Sequence, residues 1–153
     1  MDMPKAEHAQ QLMEETLRAN AQFVREQFPG TVNEELGPHF VSCDAEKGEY
    51  VCAFEITPRH KNPGGMLHGG VISMALDTAM GHLAHYYVGH MTPTITLNIS
   101  YLRPSAVDRA LYVRCKMDKP GSTVCYLSAE AYNADAPDKI LVTASGAYLS
   151  AMK

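Results

Sequence analysis

Residues 62–81 read NPGGMLHGGVISMALDTAMG, a glycine-rich loop that runs directly into a helical pattern. Four of the first nine residues are glycines, at positions 64, 65, 69 and 70. Glycine allows positive backbone φ angles and lets a ligand approach the main chain closely. The loop is therefore typical of a ligand site or a tight turn, and we interpret the rest of the chain as its support.

The second half of this segment predicts an amphipathic helix that begins at about Gly69 or Gly70. Its apolar side chains recur three and four positions apart and so form one stripe. They are Ile72, Ala75, Leu76, Ala79, Met80 and Leu83. The first amides of a helix lack partners within the helix, and the helix macrodipole adds partial positive charge there. Glycine amides at this position are suited to holding a carbonyl oxygen that becomes negative.

One carboxylate, Asp77, lies on the face away from the apolar stripe. Its neighbours on that face are Gly70, Ser73, Gly81 and Ala84. A lone aspartate on a polar helix face is most often an ordinary solvated residue. A solvated face would normally carry Lys, Glu or Arg, however, so these small neighbours indicate a functional role for Asp77.

The segment closely resembles the motif of hotdog-fold acyl-CoA thioesterases of the phenylacetate-pathway and 4-hydroxybenzoyl type. In that motif an Asn, a His-Gly-Gly and a helix Asp recur at these spacings. The matching positions are Asn62, Gly65, His68, Gly69, Gly70 and Asp77. The order of elements beyond about Val32 also agrees. The resemblance implies a hotdog fold and hydrolysis of acyl-CoA thioesters.

The resemblance also implies roles for individual residues. Asn62 would position or polarise the thioester, and His68 would orient Asn62 or the leaving sulfur. Thr94, at the start of the following strand, matches a Ser or Thr that holds the attacking water, with Thr96 as a neighbouring alternative. Considered alone, Asn62 and His68 are better explained as ordinary loop residues, but their spacing from Gly69 and Asp77 reverses this preference.

Thioester hydrolysis needs a group that stabilises the oxyanion and a base or nucleophile near the carbonyl carbon. The Gly69 amide can supply the first. Asp77 can supply the second, either by activating water or by attacking directly to give an anhydride, and the sequence leaves both routes open. No serine lies in a GxSxG motif, and no His-Cys pair has a recognisable nucleophile context, which disfavours a serine or cysteine acyl-enzyme.

Two further sets of residues are candidates for binding the substrate. Surface cations could hold the phosphates of coenzyme A, although solubility explains each of them equally well. The cations are Arg59, Lys61, Arg103, Arg109 and Lys139, of which we favour the first two. The Gly70 amide and Met66 are expected near the acyl group. Further side chains could line an acyl pocket or pack in the core. These are Tyr86, Tyr87 and Met91.

Composition narrows the class of protein. The 153 residues suit a single domain, 1–153, with 46% hydrophobic and 20% charged residues. A net charge of -4 gives no electrostatic footprint for nucleic acid. Neither an export signal nor a membrane-spanning run of apolar residues is evident, so a cytoplasmic location without membrane association is expected.

Metals, disulfides and cofactors are not expected. Four widely spaced cysteines without a CxxC pair favour free buried thiols over a disulfide or zinc framework. They are Cys43, Cys52, Cys115 and Cys125. His82 and His85 lie three apart on the helix and His90 follows, but imidazoles without a placed carboxylate or thiolate make a weak metal site.

Periodicity predicts a helix over residues 5–28, the central helix over 69–86, and strands separated by turn signals. The strands are expected at residues 50–56, 94–101, 110–117, 124–132 and 140–152, the last four forming an antiparallel meander. Residues 29–49 show no clear pattern. Helices on one face of an antiparallel sheet make an α+β fold, and the hotdog fold, a sheet wrapped around a central helix, has this arrangement.

Two other functions on the same fold compete with hydrolysis. A hydratase or dehydratase acting on enoyl-CoA would pair an acid and a histidine at a different spacing. A non-catalytic acyl-CoA-binding module would not need Asp77, and a transcriptional sensor would need room for a DNA-binding domain. Hydrolysis is therefore the preferred hypothesis, although fold alone is a poor guide to function.

The spacing of Gly69 and Asp77 predicts a site shared by two chains. Eight residues of helix span about 12 Å, too far for one carbonyl group to contact both. Two antiparallel copies of the helix about a two-fold axis would bring the start of one beside the middle of the other. The resemblance likewise implies a homodimer, often paired into a homotetramer.

Overall fold

A computed structural model describes residues 5–151 and contains a six-stranded antiparallel sheet with a long central helix. The helices are α1 (Lys5–Glu26), α2 (Val32–Glu35) and α3 (Gly69–Val88), with a 3-10 turn at Pro58–His60. The strands are β1 (Pro38–Asp44), β2 (Glu49–Phe54), β3 (Thr94–Tyr101), β4 (Leu111–Lys119), β5 (Val124–Tyr132) and β6 (Val142–Leu149). This is the α+β hotdog architecture that the sequence predicted.

The order of the strands across the sheet is β1-β2-β4-β5-β6-β3. Strands β4, β5 and β6 are joined as a meander, as predicted. The prediction that β3 opens this meander was wrong, because β3 pairs with β6 and β4 pairs with β2. Alternation along a strand identifies the strand and its two faces but carries no information on its neighbours.

Strand β1 was missed by sequence reasoning. Its pairing with β2 is irregular between Phe40 and Ser42, where a bulge interrupts the alternation of side chains. Most of its residues are at least partly exposed. The predicted β6 extended from residue 140 to residue 152, whereas the strand runs only from Val142 to Leu149, and Met152 lies outside the described residues.

Helix α3 packs its apolar stripe against the sheet. All six predicted stripe residues are buried, and the smallest, Ala75 and Ala79, have no exposed surface. The helix begins at Gly69 as predicted and continues two residues past the predicted end, to Val88. Ala84 was expected on the open face beside Asp77, but it is fully buried, so this face is covered towards the end of the helix.

Helix α1 packs against β1 and α3. It buries Met13, Leu17 and Ala21. The helix ends at Glu26, two residues before the predicted end, and Phe28 beyond it is exposed.

Strand β3 forms one edge of the sheet, and a bulge near its start decides which of its side chains face α3. Leu97 and Ile99 pack against the core. Regular alternation would place Thr94 on the opposite face, but the register with β6 shifts between Thr94 and Thr96. The extra residue, Ile95, turns the Thr94 side chain inward, where it contacts α3.

Within residues 5–151, no helix combines the length and the apolar character that crossing a membrane would require. The four cysteines are free thiols. Cys52, Cys115 and Cys125 are buried in strands, and Cys43 is partly buried.

Candidate active site

The loop before α3 is closed by the Asn62 side chain. Its Oδ1 accepts a hydrogen bond from the Met66 amide at 3.1 Å, and the Met66 carbonyl accepts one from the Asn62 amide at 2.7 Å. Gly65, with φ of 82°, makes the turn between them, whereas Gly64, Gly69 and Gly70 need no positive φ. Asn62 thus shapes the loop through Oδ1, while its Nδ2 donates to no other group in the described part of the chain.

His68 caps the start of α3. Its Nδ1 accepts a hydrogen bond from the Gly70 amide at 2.9 Å, so a neutral His68 carries its proton on Nε2. The Gly70 amide is therefore occupied by the cap. Among the described hydrogen bonds none joins His68 to Asn62, so the predicted orientation of Asn62 by His68 is not seen in this chain.

The Gly69 amide is different, because no group within residues 5–151 accepts a hydrogen bond from it. The carbonyl of the same residue is held firmly: it accepts from the Tyr101 hydroxyl at 2.9 Å and from Ser73 Oγ at 3.0 Å. A Cβ on Gly69 would lie 3.4 Å from the Tyr101 ring. The first turn of α3 is thus held in place through the Gly69 carbonyl, while the Gly69 amide has no acceptor among the described residues.

Asp77 lies two turns further along and receives two hydrogen bonds on the same oxygen. Thr94 Oγ1 donates to Oδ1 at 2.8 Å, and the Tyr148 hydroxyl donates to Oδ1 at 2.9 Å. No group in the described ranges donates to Oδ2. The structure therefore brings Thr94, rather than the alternative Thr96, to the carboxylate.

Tyr148 is a site residue that sequence reasoning missed. Only 1% of its surface is exposed. Burial, and secondarily the nearby charge of Asp77, raise the pKa of its phenol far above the ordinary value, so the hydroxyl keeps its proton and donates.

Gly146 makes room for this ring. A Cβ on Gly146 would lie 2.8 Å from the Tyr148 ring, whereas a Cβ on Gly81 would make an ordinary van der Waals contact with it at 3.8 Å. A glycine on β6 therefore gives space to an aromatic side chain that donates a hydrogen bond to Asp77. A glycine two residues before a tyrosine, on the same strand face, is the signal that could have revealed it.

The favoured cations lie just before the motif loop. Arg59 is highly exposed and pairs with Glu35 at 3.4 Å, and Glu35 also contacts His60 Nε2 at 3.4 Å. Lys61 is exposed and bridges by its backbone to Leu67, beside the start of α3. Both residues thus lie near the start of α3, where Arg59 lines a surface cavity together with His68 and Gly70.

The remaining cations are engaged elsewhere or lie on other loops. Arg103 donates to the backbone carbonyl of Ile140. Arg109 pairs with Asp108 at 2.9 Å and Asp135 at 3.3 Å. Lys139 is exposed in the loop before β6.

The candidate acyl-pocket residues are not brought together within one chain. Met66 is partly buried in the loop at the start of α3. Tyr86 and Tyr87 lie in the last turn of α3, where their rings contact each other at 5.2 Å between centroids. Met91 follows the helix and is 83% exposed.

The histidines near the end of α3 do not form a metal site with other ligands: residues 5–151 contain no group of three or more His, Cys, Asp or Glu side chains placed to hold an ion. His82 is partly buried, and its Nδ1 atom has no partner in that range. Burial, and secondarily His85, lower the pKa of His82 to about 4.

Comparison with known proteins agrees with the fold. Residues 64–139 match the family model described as the thioesterase superfamily. The chain is 29% identical over 115 residues to the provisionally named esterase PA0474 of Pseudomonas aeruginosa, covering 74% of this chain and 83% of that protein. It is 24% identical over 91 residues to human acyl-coenzyme A thioesterase 13, covering 58% of this chain and 64% of that protein.

A solved structure shares the fold. It is a provisionally named thioesterase from Ralstonia eutropha, described as a phenylacetic acid degradation-related protein. The TM-score is 0.72 at 26% identity, covering 85% of this chain and 98% of the other. Together with the motif and the sheet around α3, these matches show that this chain belongs to the thioesterase superfamily.

Proposed function

We propose that this protein hydrolyses acyl-CoA thioesters to a free acid and coenzyme A. The observation that carries the proposal is the state of Asp77, whose Oδ1 is held by two donors while Oδ2 has none within the described residues. Family membership and the acyl-coenzyme A thioesterase name of the human relative support the choice of substrate.

The free Oδ2 can act in either of two ways. As a general base it takes a proton from water while the water oxygen attacks the carbonyl carbon. As a nucleophile it attacks that carbon itself, the C–S bond breaks, and water then hydrolyses the anhydride. In both routes the thiolate of coenzyme A leaves and one water is consumed.

The Gly69 amide is the proposed donor to the thioester carbonyl oxygen. It lies at the start of a 20-residue helix, where the macrodipole favours negative charge. Removing one well-placed oxyanion donor costs about 3 to 4 kcal/mol in enzymes where this has been measured. Asn62 Nδ2, which extends from the same loop, is the proposed second polar contact with the thioester.

The proposed site draws on two chains. Helix geometry separates Gly69 from Asp77 by about 12 Å along one α3. Strand β3 runs between the same two places: Tyr101 at its end contacts Gly69, and Thr94 at its start contacts Asp77. Antiparallel pairing of β3 with β3 of a second copy would therefore place Gly69 of one chain beside Asp77 of the partner.

The edge of the sheet is suited to this pairing. Strand β3 is eight residues long and has a neighbour on one side only. Ile95 and Tyr101 on it are each 51% exposed. A long, partly apolar edge strand is a template for pairing with another chain, and closed two-fold dimers are the commonest oligomers. Light scattering of the purified protein will distinguish a dimer from a tetramer.

A hydratase or dehydratase is the second candidate, and the geometry favours hydrolysis over it. The only histidine in the motif caps α3 through Nδ1. The described partners of Asp77 are hydroxyl groups, so no acid–histidine pair is formed. A non-catalytic binding module would have no need for an oriented carboxylate.

The test is release of free thiol from a panel of acyl-CoAs with short, long and aromatic acyl groups, followed by an assay for hydration of enoyl-CoA. We expect thiol release that is lost on Asp77→Asn substitution. Hydration without thiol release would support the second candidate, and tight acyl-CoA binding without either reaction would support a binding module.

A further inference from the structure

We infer that Tyr148 is a positioning residue, which together with Thr94 fixes Oδ1 of Asp77 and leaves Oδ2 as the reacting oxygen. The inference rests on the proposed thioester hydrolysis and extends it by one residue. Tyr148 is not expected to touch the substrate; it acts through the carboxylate.

Two donors on one oxygen determine the orientation of a carboxyl group. Both heavy-atom distances are within the range of good hydrogen bonds, at 2.8 and 2.9 Å. Hydrogen bonds to an ionised acceptor are roughly twice as strong as those between neutral groups. With Oδ1 occupied twice, the plane of the carboxyl group is set, and water or a thioester can approach only Oδ2 without displacing a donor.

The sheet is built so that both donors reach the same atom. Thr94 and Tyr148 are directly opposite each other in the pairing of β3 with β6. The bulge after Thr94 turns its side chain inward to join the side chain of Tyr148. Gly146 leaves the space that the Tyr148 ring occupies. The bulge after Thr94, the register of β3 with β6 and the position of Asp77 on α3 thus bring both hydroxyl groups to Oδ1 of Asp77.

The direction of the Tyr148 hydrogen bond is fixed. A phenol has one proton, and the Tyr148 hydroxyl lies 2.9 Å from Asp77 Oδ1 and 3.3 Å from the Asp77 carbonyl oxygen. Both of these acceptors belong to Asp77, and the shorter contact is with the carboxylate oxygen.

Tyr50 offers a matched comparison. It is another fully buried tyrosine of the same core, and its hydroxyl has no hydrogen-bond partner in the described part of the chain. If Tyr148 were only a large core side chain, loss of its hydroxyl would have the same small effect as loss of the Tyr50 hydroxyl.

The test therefore compares Tyr148→Phe with Tyr50→Phe, using an acyl-CoA that the wild-type protein hydrolyses. We expect Tyr148→Phe to lower kcat by about tenfold, the worth of one good hydrogen bond, with KM within about twofold of wild type. Tyr50→Phe should leave both constants unchanged. A Tyr148→Phe variant with wild-type kcat, or with only KM raised, would overturn the positioning role.

A second measurement does not depend on activity. Melting temperatures of Tyr148→Phe, Asp77→Ala and the double variant form a cycle, and we expect the two changes to be non-additive because either change alone removes the bond that the residues share. Additive changes would overturn the inference. Non-additivity in a protein that releases no thiol would instead contradict the proposed function and leave the contact standing.

Gly146→Ala covers the case in which Tyr148→Phe fails to fold. The added methyl would lie 2.8 Å from the Tyr148 ring, so the ring must move while its hydroxyl is retained. We expect kcat to fall with KM nearly constant, and an unchanged kcat in the folded variant would count against Tyr148.

Discussion

The hydroxyl of Thr94 donates to Oδ1 of Asp77 at 2.8 Å although regular alternation along β3 would turn it away from the helix. A one-residue bulge makes the contact possible. This relationship leads to a direct prediction. Thr94→Val, which keeps the shape and removes the donor, should lower kcat by about tenfold. Thr96→Val, on the exposed outer face, is the control and should have wild-type activity.

The second prediction concerns substitution of the Asp77 carboxylate. Asp77→Asn is nearly isosteric, but an amide can neither take a proton from water nor attack the thioester. We expect kcat to fall by about 100-fold or more with the fold retained, as judged by circular dichroism. Asp118→Asn, at an exposed aspartate on β4, should change nothing. An Asp77→Asn variant within about fivefold of wild type would exclude a catalytic role.

Two glycines with nearly the same positive φ allow effects on stability to be separated from effects on function. Gly65 and Gly89 have φ of 82° and 83°, and a Cβ on either would meet no atom within 4 Å. Alanine at either position should cost about 1 to 2 kcal/mol of stability through backbone strain alone. Only Gly65→Ala should also reduce kcat/KM, because Gly65 shapes the Asn62 loop. Equal activity in the two variants would show that this loop does not contact the substrate.

The pKa of His82 predicts a loss of stability in acid. Burial lowers this pKa from 6.5 to about 4, so the folded protein keeps His82 neutral while the unfolded chain protonates it near pH 6.5. The resulting stability is present above pH 6.5 and is lost as the pH falls towards 4, by at most about 1.4 kcal/mol per pH unit. Melting temperatures of His82→Gln should fall less steeply over this range than those of wild type or of His8→Gln, an exposed histidine on α1. An identical slope in all three proteins would refute the assignment.

Part of this site could be predicted from local sequence. The start of α3 follows from the change from glycine loop to helical period, and the conspicuous position of Asp77 follows from its small neighbours. The Asn62 loop and Thr94 were predicted through family resemblance. In each case the information lies within a few residues, or in a motif of fixed spacing.

The rest depends on how distant segments pair. Tyr148 reaches Asp77 only because β6 lies beside β3, an order that alternation does not reveal. The use of the Gly70 amide by the His68 cap depends on a side-chain rotamer rather than on spacing. Strand β1 was missed because a bulge interrupts its period.

The central claim is that hydrolysis uses Asp77 of one chain and the Gly69 amide of another. It is tested most directly by mixing two inactive chains. One carries Asp77→Asn; the other carries Asn62→Ala and Gly69→Val, where the valine crowds the carbonyl and the Tyr101 ring. The two chains carry different affinity tags, so that heterodimers can be purified from co-expressed material.

In such a heterodimer one site carries all the lesions and the other carries none. The measurement is thiol release by the purified heterodimer relative to the wild-type dimer, with each parent homodimer folded and inactive. A site shared between two chains predicts about half of the wild-type activity per heterodimer. Heterodimers that are folded and as inactive as their parents would contradict it.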